Sequence, residues 1–214
     1  MPVSASMVFA NVFIDDFNRA DGTIGSNYDT AAGFNSLAVS SNTVRADGLN
    51  ALSLNSIKSS VKTFSANQEA QVTYTAFNPT YFDSAGPAVR VTPESGSGYV
   101  LHIDRLDDGA RRLCRVTGSV RTTIGTVNLP AVAGDTFKLT ASGSRLLVYK
   151  NEILIDSVTD ATYPTGQPGL YYNRGNSNTT RMDNFIAADI PTTNAKTLFT
   201  ISQNPVGKLI QGSQ

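Results

Sequence analysis

Few side chains in this sequence could do chemistry, and the most reactive types occur once each. His102 is the only histidine and Cys114 the only cysteine among 214 residues. A cysteine nucleophile needs a basic partner, and His102 is the only imidazole that could serve. The plainer expectation is that Cys114 is a small buried apolar side chain. The three glutamates, Glu69, Glu94 and Glu152, are scattered along the chain. Glycoside hydrolysis needs two carboxylates about 5 Å apart, or farther with a water between them, and no single strand carries such a pair. Four aspartates, Asp15, Asp16, Asp21 and Asp183, offer the oxygen ligands that calcium takes. Their spacing matches no calcium loop, and Asp at strand ends usually bonds its own backbone. No cofactor is expected, and a structural calcium is the one metal these aspartates would suit.

One constellation is sharper. If Val89 and Val91 face a core, Arg90 projects from the opposite face of its strand. Tyr99, Leu101 and Ile103 alternate with Val100, His102 and Asp104, so His102 and Asp104 share a polar face. Arg112, or its neighbour Arg111, would sit on the strand after that. Arg90, His102, Asp104 and Arg112 would then line a face able to hold a sugar or a partner loop. The competing expectation is a solvated face of ion pairs. Tryptophan, the commonest sugar-stacking side chain, is absent. Tyr81, Phe82, Tyr171 and Tyr172 could stack instead, although aromatics in β proteins more often fill cores. Asn178-Thr-Thr180 matches the glycosylation acceptor pattern, and Gly96-Ser-Gly98 is too short to cradle phosphate.

The elements that must position these residues are strands. Period-two alternation runs through the chain, and no amphipathic helical pattern is sustained. Short alternating pieces occur at Phe34–Val39 and Val44–Leu54, around the turn Asp47-Gly48. Gln68–Phe77 alternates with Ala70, Val72, Tyr74 and Ala76 on one face. Pro87–Thr92, Tyr99–Asp104, Arg111–Val116 and Thr122–Val127 follow, with Asp108-Gly109 as a hairpin turn. Asp135–Ser157 reads as a three-strand antiparallel meander turning at Ser142-Gly143 and at Lys150-Asn151. Pro168–Tyr172 and Arg181–Ala188 close the series. Parallel α/β folds are excluded because nothing could serve as a crossover helix.

Composition narrows the function class. Formal net charge is zero, so no basic face for nucleic acid or an anionic membrane is expected. No apolar run approaches a membrane span. Met1–Ala10 carries no Lys or Arg, so no signal peptide is expected. A single cysteine excludes an intrachain disulfide. After Asp189 the alternation fails. Residues 1–189 therefore read as one domain and 190–214 as a C-terminal extension or docking arm, with Lys196–Ser202 as one further strand.

The run Asp15-Asp-Phe-Asn-Arg-Ala-Asp-Gly-Thr-Ile-Gly-Ser-Asn-Tyr28 resembles the opening signature of concanavalin A-like, laminin-G-like jelly-roll domains of bacterial and bacteriophage proteins. The meander with Tyr149-Lys-Asn-Glu-Ile153 at its turn, Pro168-Gly-Leu-Tyr171 and Asp183-Asn-Phe185 resemble later elements of that fold. The resemblance implies an all-β, two-sheet antiparallel jelly-roll sandwich with its first and last strands side by side, and carbohydrate bound on the concave face of one sheet. The acidic run of its glycosidases and the Gln-x-His run of its lyases have no counterpart here, so a non-enzymatic protein is expected. The leading expectation is a bacteriophage virion protein, a capsid decoration or tail-associated part. Its partners would be other virion proteins, further copies of itself and host glycans. The alternative is a carbohydrate-binding module or lectin of a bacterial cell surface.

Overall fold

The computed structural model describes residues 11–47, 52–76, 84–103, 111–127, 131–173 and 179–191. Among these lie sixteen strands, numbered in chain order, and no helix. Nine belong to one sheet: β1 (Val12–Asp15), β2 (Gly22–Thr23), β4 (Leu37–Ser40), β5 (Thr43–Ala46), β7 (Gln68–Ala76), β12 (Thr136–Ser142), β13 (Arg145–Lys150), β14 (Ile153–Thr159) and β16 (Arg181–Asp189). Seven belong to the other: β3 (Tyr28–Thr30), β6 (Leu52–Ile57), β8 (Ser84–Thr92), β9 (Ser97–His102), β10 (Arg111–Thr117), β11 (Val120–Val127) and β15 (Gln167–Asn173). The first sheet runs β14-β13-β12-β7-β16-β5-β4-β2, with β1 on β16, and the second runs β11-β10-β9-β8-β15-β6-β3. Two antiparallel sheets packed face to face make a jelly-roll sandwich of the concanavalin A type.

Alternation builds the core. Ala70, Val72 and Tyr74 of β7 meet Phe137 and Leu139 of β12, with Val72 opposite Phe137 and Ala70 opposite Leu139. Leu146 and Val148 of β13 extend the same face, making the expected meander. Tyr99, Leu101, Leu113, Leu170 and Tyr172 face them from the seven-stranded sheet. Tyr74 and Phe137 meet edge-on, with centroids 5.6 Å apart. Each large side chain sealed here contributes roughly 1.5–3 kcal/mol of transfer free energy. The hairpin of β4 and β5 turns at Ser41-Asn42, where φ is 53° and 58°. Two positive φ values in a row match the twist of a tight hairpin, so this turn precedes the Asp47-Gly48 turn expected from the sequence; Gly48 lies outside the described residues.

The first and last strands are neighbours, as expected. Phe13 pairs with Ala187, Ile14 with Ile186 and Asp15 with Phe185. Just beyond the strand ends, the Asp189 amide donates to the Asn11 carbonyl at 2.8 Å, and the Asn11 amide donates to Asp189 Oδ2 at 3.2 Å. The opening loop is tied to this seam by Asp15. Its Oδ1 accepts from the Phe17 amide at 2.9 Å and Arg19 Nη1 at 2.6 Å, and its Oδ2 accepts from Arg19 Nη2 at 3.0 Å and the Tyr28 hydroxyl at 2.9 Å. Burial, together with the adjacent Asp15 charge, pushes the Tyr28 phenol well above its usual pKa, so it remains a donor.

The strand β8 departs from simple alternation. Val89 faces the core between the sheets, whereas Val91 packs on the outer face of the seven-stranded sheet with Leu54, Ala88, Val100 and Tyr171. The phase changes at Arg90, whose φ is +53°, and the register with β9 shifts between Val89 and Thr92. This is a β-bulge. Gly166 makes room for it: a Cβ there would stand 2.4 Å from the Arg90 carbonyl carbon.

Candidate functional site

The hairpin of β10 and β11 lays the site across the outer face of the seven-stranded sheet. Leu113 turns to the core, while Cys114 and Val116 turn outward. Register places Arg112 opposite His102, Cys114 opposite Thr123 and Val116 opposite Arg121. Side chains from three adjacent strands therefore share one face. With Ser119 from the turn, His102, Arg112, Cys114, Arg121 and Thr123 line a cleft of about 340 Å³.

The cleft is built around one guanidinium. Arg121 Nη1 lies 2.7 Å from His102 Nδ1 and 2.9 Å from the Tyr171 hydroxyl. Arginine cannot accept, so Nδ1 is the acceptor and a neutral ring must carry its proton on Nε2. Ser84 Oγ approaches the same Nδ1 at 3.2 Å. The imidazole and the Tyr171 ring lie 5.9 Å apart at 35°. His102 and Tyr171 are buried, and Arg121 is exposed. Two buried rings thus hold one face of a cation whose remainder meets solvent.

The structure brings together two of the four site residues expected from the sequence. His102 and Arg112 line the cleft. Asp104 lies outside the described residues. Arg90 does not belong to this face, and the bulge is the reason. Its side chain is 1 % exposed. Nε donates to the Ala66 carbonyl at 3.0 Å, Nη1 to that of Tyr163 at 3.0 Å, and Nη2 to those of Ala66 and Gly143 at 2.9 and 2.7 Å. Burial pulls its pKa below the usual arginine value. Arg90 is a fastener of loops at one end of the sandwich. Tyr172 likewise faces the core and donates to the Thr180 carbonyl. Tyr81, Phe82 and Asn178 lie outside the described residues, as do 192–214 of the expected arm.

Arg121, Thr123, Ser119 and Ser84 escaped the sequence reading. The signal for the first two was there: a strand beginning at Val120 puts residues 121 and 123 on one face, whereas a strand begun at Thr122 leaves Arg121 in the turn.

The opening aspartates are engaged within the protein itself. The Asp15 oxygens are filled by the four donors described above. Asp21 accepts from the Ser41 amide at 2.8 Å and Ser40 Oγ at 3.2 Å. Asp16 and Asp183 accept from the amides of Asn18 and Asn184. Burial, with the charges of Asp16 and Asp15, raises the pKa of Asp183. Among the described residues no three His, Cys, Asp or Glu side chains gather to hold a metal ion.

A second cleft, of about 240 Å³, lies near the bulge and includes Asp29 and Glu94 in its wall. Asp29 pairs with Lys58 at 3.7 Å, and Glu94 is exposed.

The sequence matches no protein-family model and no curated protein. Solved structures share the fold at low identity. The carbohydrate-binding module CBM66 of Bacillus subtilis superposes with a TM-score of 0.61 at 14% identity, over 75% of this chain and 94% of its own. The exoplasmic/lumenal domain of VIP36, solved with Ca2+ and Man3GlcNAc, gives 0.58 at 13%, over 81% and 88%. A structure from work on endo-acting O-glycanases of the human gut microbiota gives 0.55 at 12%, over 83% and 98%.

Proposed function

We propose that this protein is a non-catalytic carbohydrate-binding module or lectin that works outside the cell or at its surface. The observation that carries the proposal is the outer-face cleft, where guanidinium, imidazole and hydroxyl groups converge from three strands. Such groups donate and accept toward sugar hydroxyls, and no carboxylate stands among the described residues that line it. Binding chemistry is therefore present, while the two carboxylates of glycoside hydrolysis are absent from that wall. Two of the three compared structures support this reading, one a carbohydrate-binding module and one carrying a bound oligosaccharide. The virion role expected from the sequence draws support from none of them, so the weight moves to the glycan reading.

The test is retention of the whole chain on a panel of immobilised polysaccharides, with reducing ends assayed in the flow. Retention on at least one polysaccharide without release of reducing ends is expected. Retention on none would remove the binding reading, and sugar release would replace it with an enzyme.

A further inference from the structure

We infer that the cleft takes a carboxylate-bearing sugar, a uronic or sialic acid residue, and that Arg121 binds its carboxylate. This rests on the glycan-binding reading above and narrows it. Both hydrogens of Arg121 Nη1 are committed, one to His102 Nδ1 and one to the Tyr171 hydroxyl. Those two bonds fix the plane of the guanidinium from two buried side chains. What remains is the edge formed by Nε and Nη2, which carries two parallel donors. No other hydrogen bond and no ion pair of Arg121 is found among the described residues.

Two parallel donors match two coplanar carboxylate oxygens, and the resulting bonds are charge-assisted. The acceptors that hold Arg121 are both neutral, because His102 accepts through Nδ1 and Tyr171 through its hydroxyl. The cation therefore keeps its full charge for a ligand. Arg121 is also pre-positioned, so little side-chain entropy is lost when an anion binds. Thr123, on the same wall, supplies a hydroxyl for the sugar, and Ser119 Oγ, whose proton goes to the Gly33 carbonyl at 3.2 Å, can accept from a sugar hydroxyl.

The experiment is isothermal titration and affinity electrophoresis of the whole chain with polygalacturonate, alginate and a sialylated oligosaccharide. The carboxyl-reduced form of each uronate, dextran sulfate, and neutral mannan and β-glucan complete the set. At least one carboxylated glycan should bind, its carboxyl-reduced form at least about tenfold more weakly, and the affinity should fall as salt rises. R121Q should lose about tenfold or more of that affinity and keep its melting temperature. If R121Q fails to fold, R121K keeps the charge without the fork and should lose most of the affinity as well. Unchanged carboxylate binding in R121Q, equal binding of neutral glycans, or binding of the sulfated polymer alone would overturn the assignment and leave the glycan-binding reading standing. Binding to nothing in the set would remove both.

Discussion

Asp15 accepts from four donors on two oxygens, and that arrangement makes the opening stretch structural. D15N keeps the shape but removes the charge opposite Arg19 and turns one acceptor into a donor. It should destabilise the protein by roughly 1–3 kcal/mol in urea unfolding, with glycan retention unchanged. Asp160 makes a second such centre. It accepts from the Tyr99 hydroxyl at 2.7 Å, the Thr162 amide at 2.8 Å and Arg115 Nη1 at 2.9 Å. Burial alone would raise its pKa, but the Thr162 bonds, the Tyr99 hydroxyl and the Arg115 charge outweigh it and bring it below the usual carboxylate value. Burial pushes the Tyr99 phenol up to about 12, so it stays a donor. A depressed folded-state pKa stabilises above the unfolded value, about 4, and that contribution disappears as pH falls through the lower folded value. D160N should therefore be less stable than wild type at pH 7, and the gap should shrink below about pH 4 in melts across that range. Residue chemistry was legible where a side chain bonds locally. The acidic opening run reads from the sequence as closure of the fold, because Asp15, Phe17, Arg19 and Tyr28 lie close together in the chain, between the end of β1 and the start of β3.

At the scale of elements, the bulge in β8 decides which side chains reach which face. Period-two alternation holds at Val89 and breaks from Arg90 onward, because one inserted residue flips every side chain after it. Nothing local in Pro87–Thr92 announces the bulge; it depends on Gly166, far along the chain, having no Cβ. The same limit hid the partners of Arg90, which are carbonyls of three separate loops. R90A removes donors from those three loops at once and should cost about 3–5 kcal/mol by chemical denaturation. Its folded fraction should still bind glycan, which separates a loop fastener from a ligand-binding arginine such as Arg121. The meander of β12, β13 and β14 was legible in its strands, which pair with sequence neighbours, while both turns sit one residue later than expected, at Gly143-Ser144 and Asn151-Glu152. The cleft was half legible. His102 and Arg112 follow from alternation, while Arg121 depends on where β11 begins and Ser84 on how far the pairing of β8 with its neighbour runs, to the Ala85–Ile103 bridge.

For the whole molecule, closure depends on pairing the beginning of the domain with its end. Core packing between the two sheets follows from alternation and needed no knowledge of strand order. The order itself, with β16 between β7 and β5, is a long-range fact that local pattern cannot carry. The resemblance supplied one part of it, the adjacency of β1 and β16. That seam has a consequence for how the domain can be handled as an object. Asn11 and Asp189 are 178 residues apart in sequence yet hydrogen-bond to each other, the Asp189 amide to the Asn11 carbonyl and the Asn11 amide to the Asp189 carboxylate, so the two ends of the fold leave from one point on its surface. The domain is a cassette: a host protein could carry it on a single loop. Its thread can also be recut. A circular permutant that joins Asp189 to Asn11 through a short Gly-Ser linker, and opens at the exposed Asn151-Glu152 turn, should keep its cooperative unfolding and its glycan retention. Loss of both in a soluble permutant would show that the order of the thread, as well as the seam, holds the sandwich together.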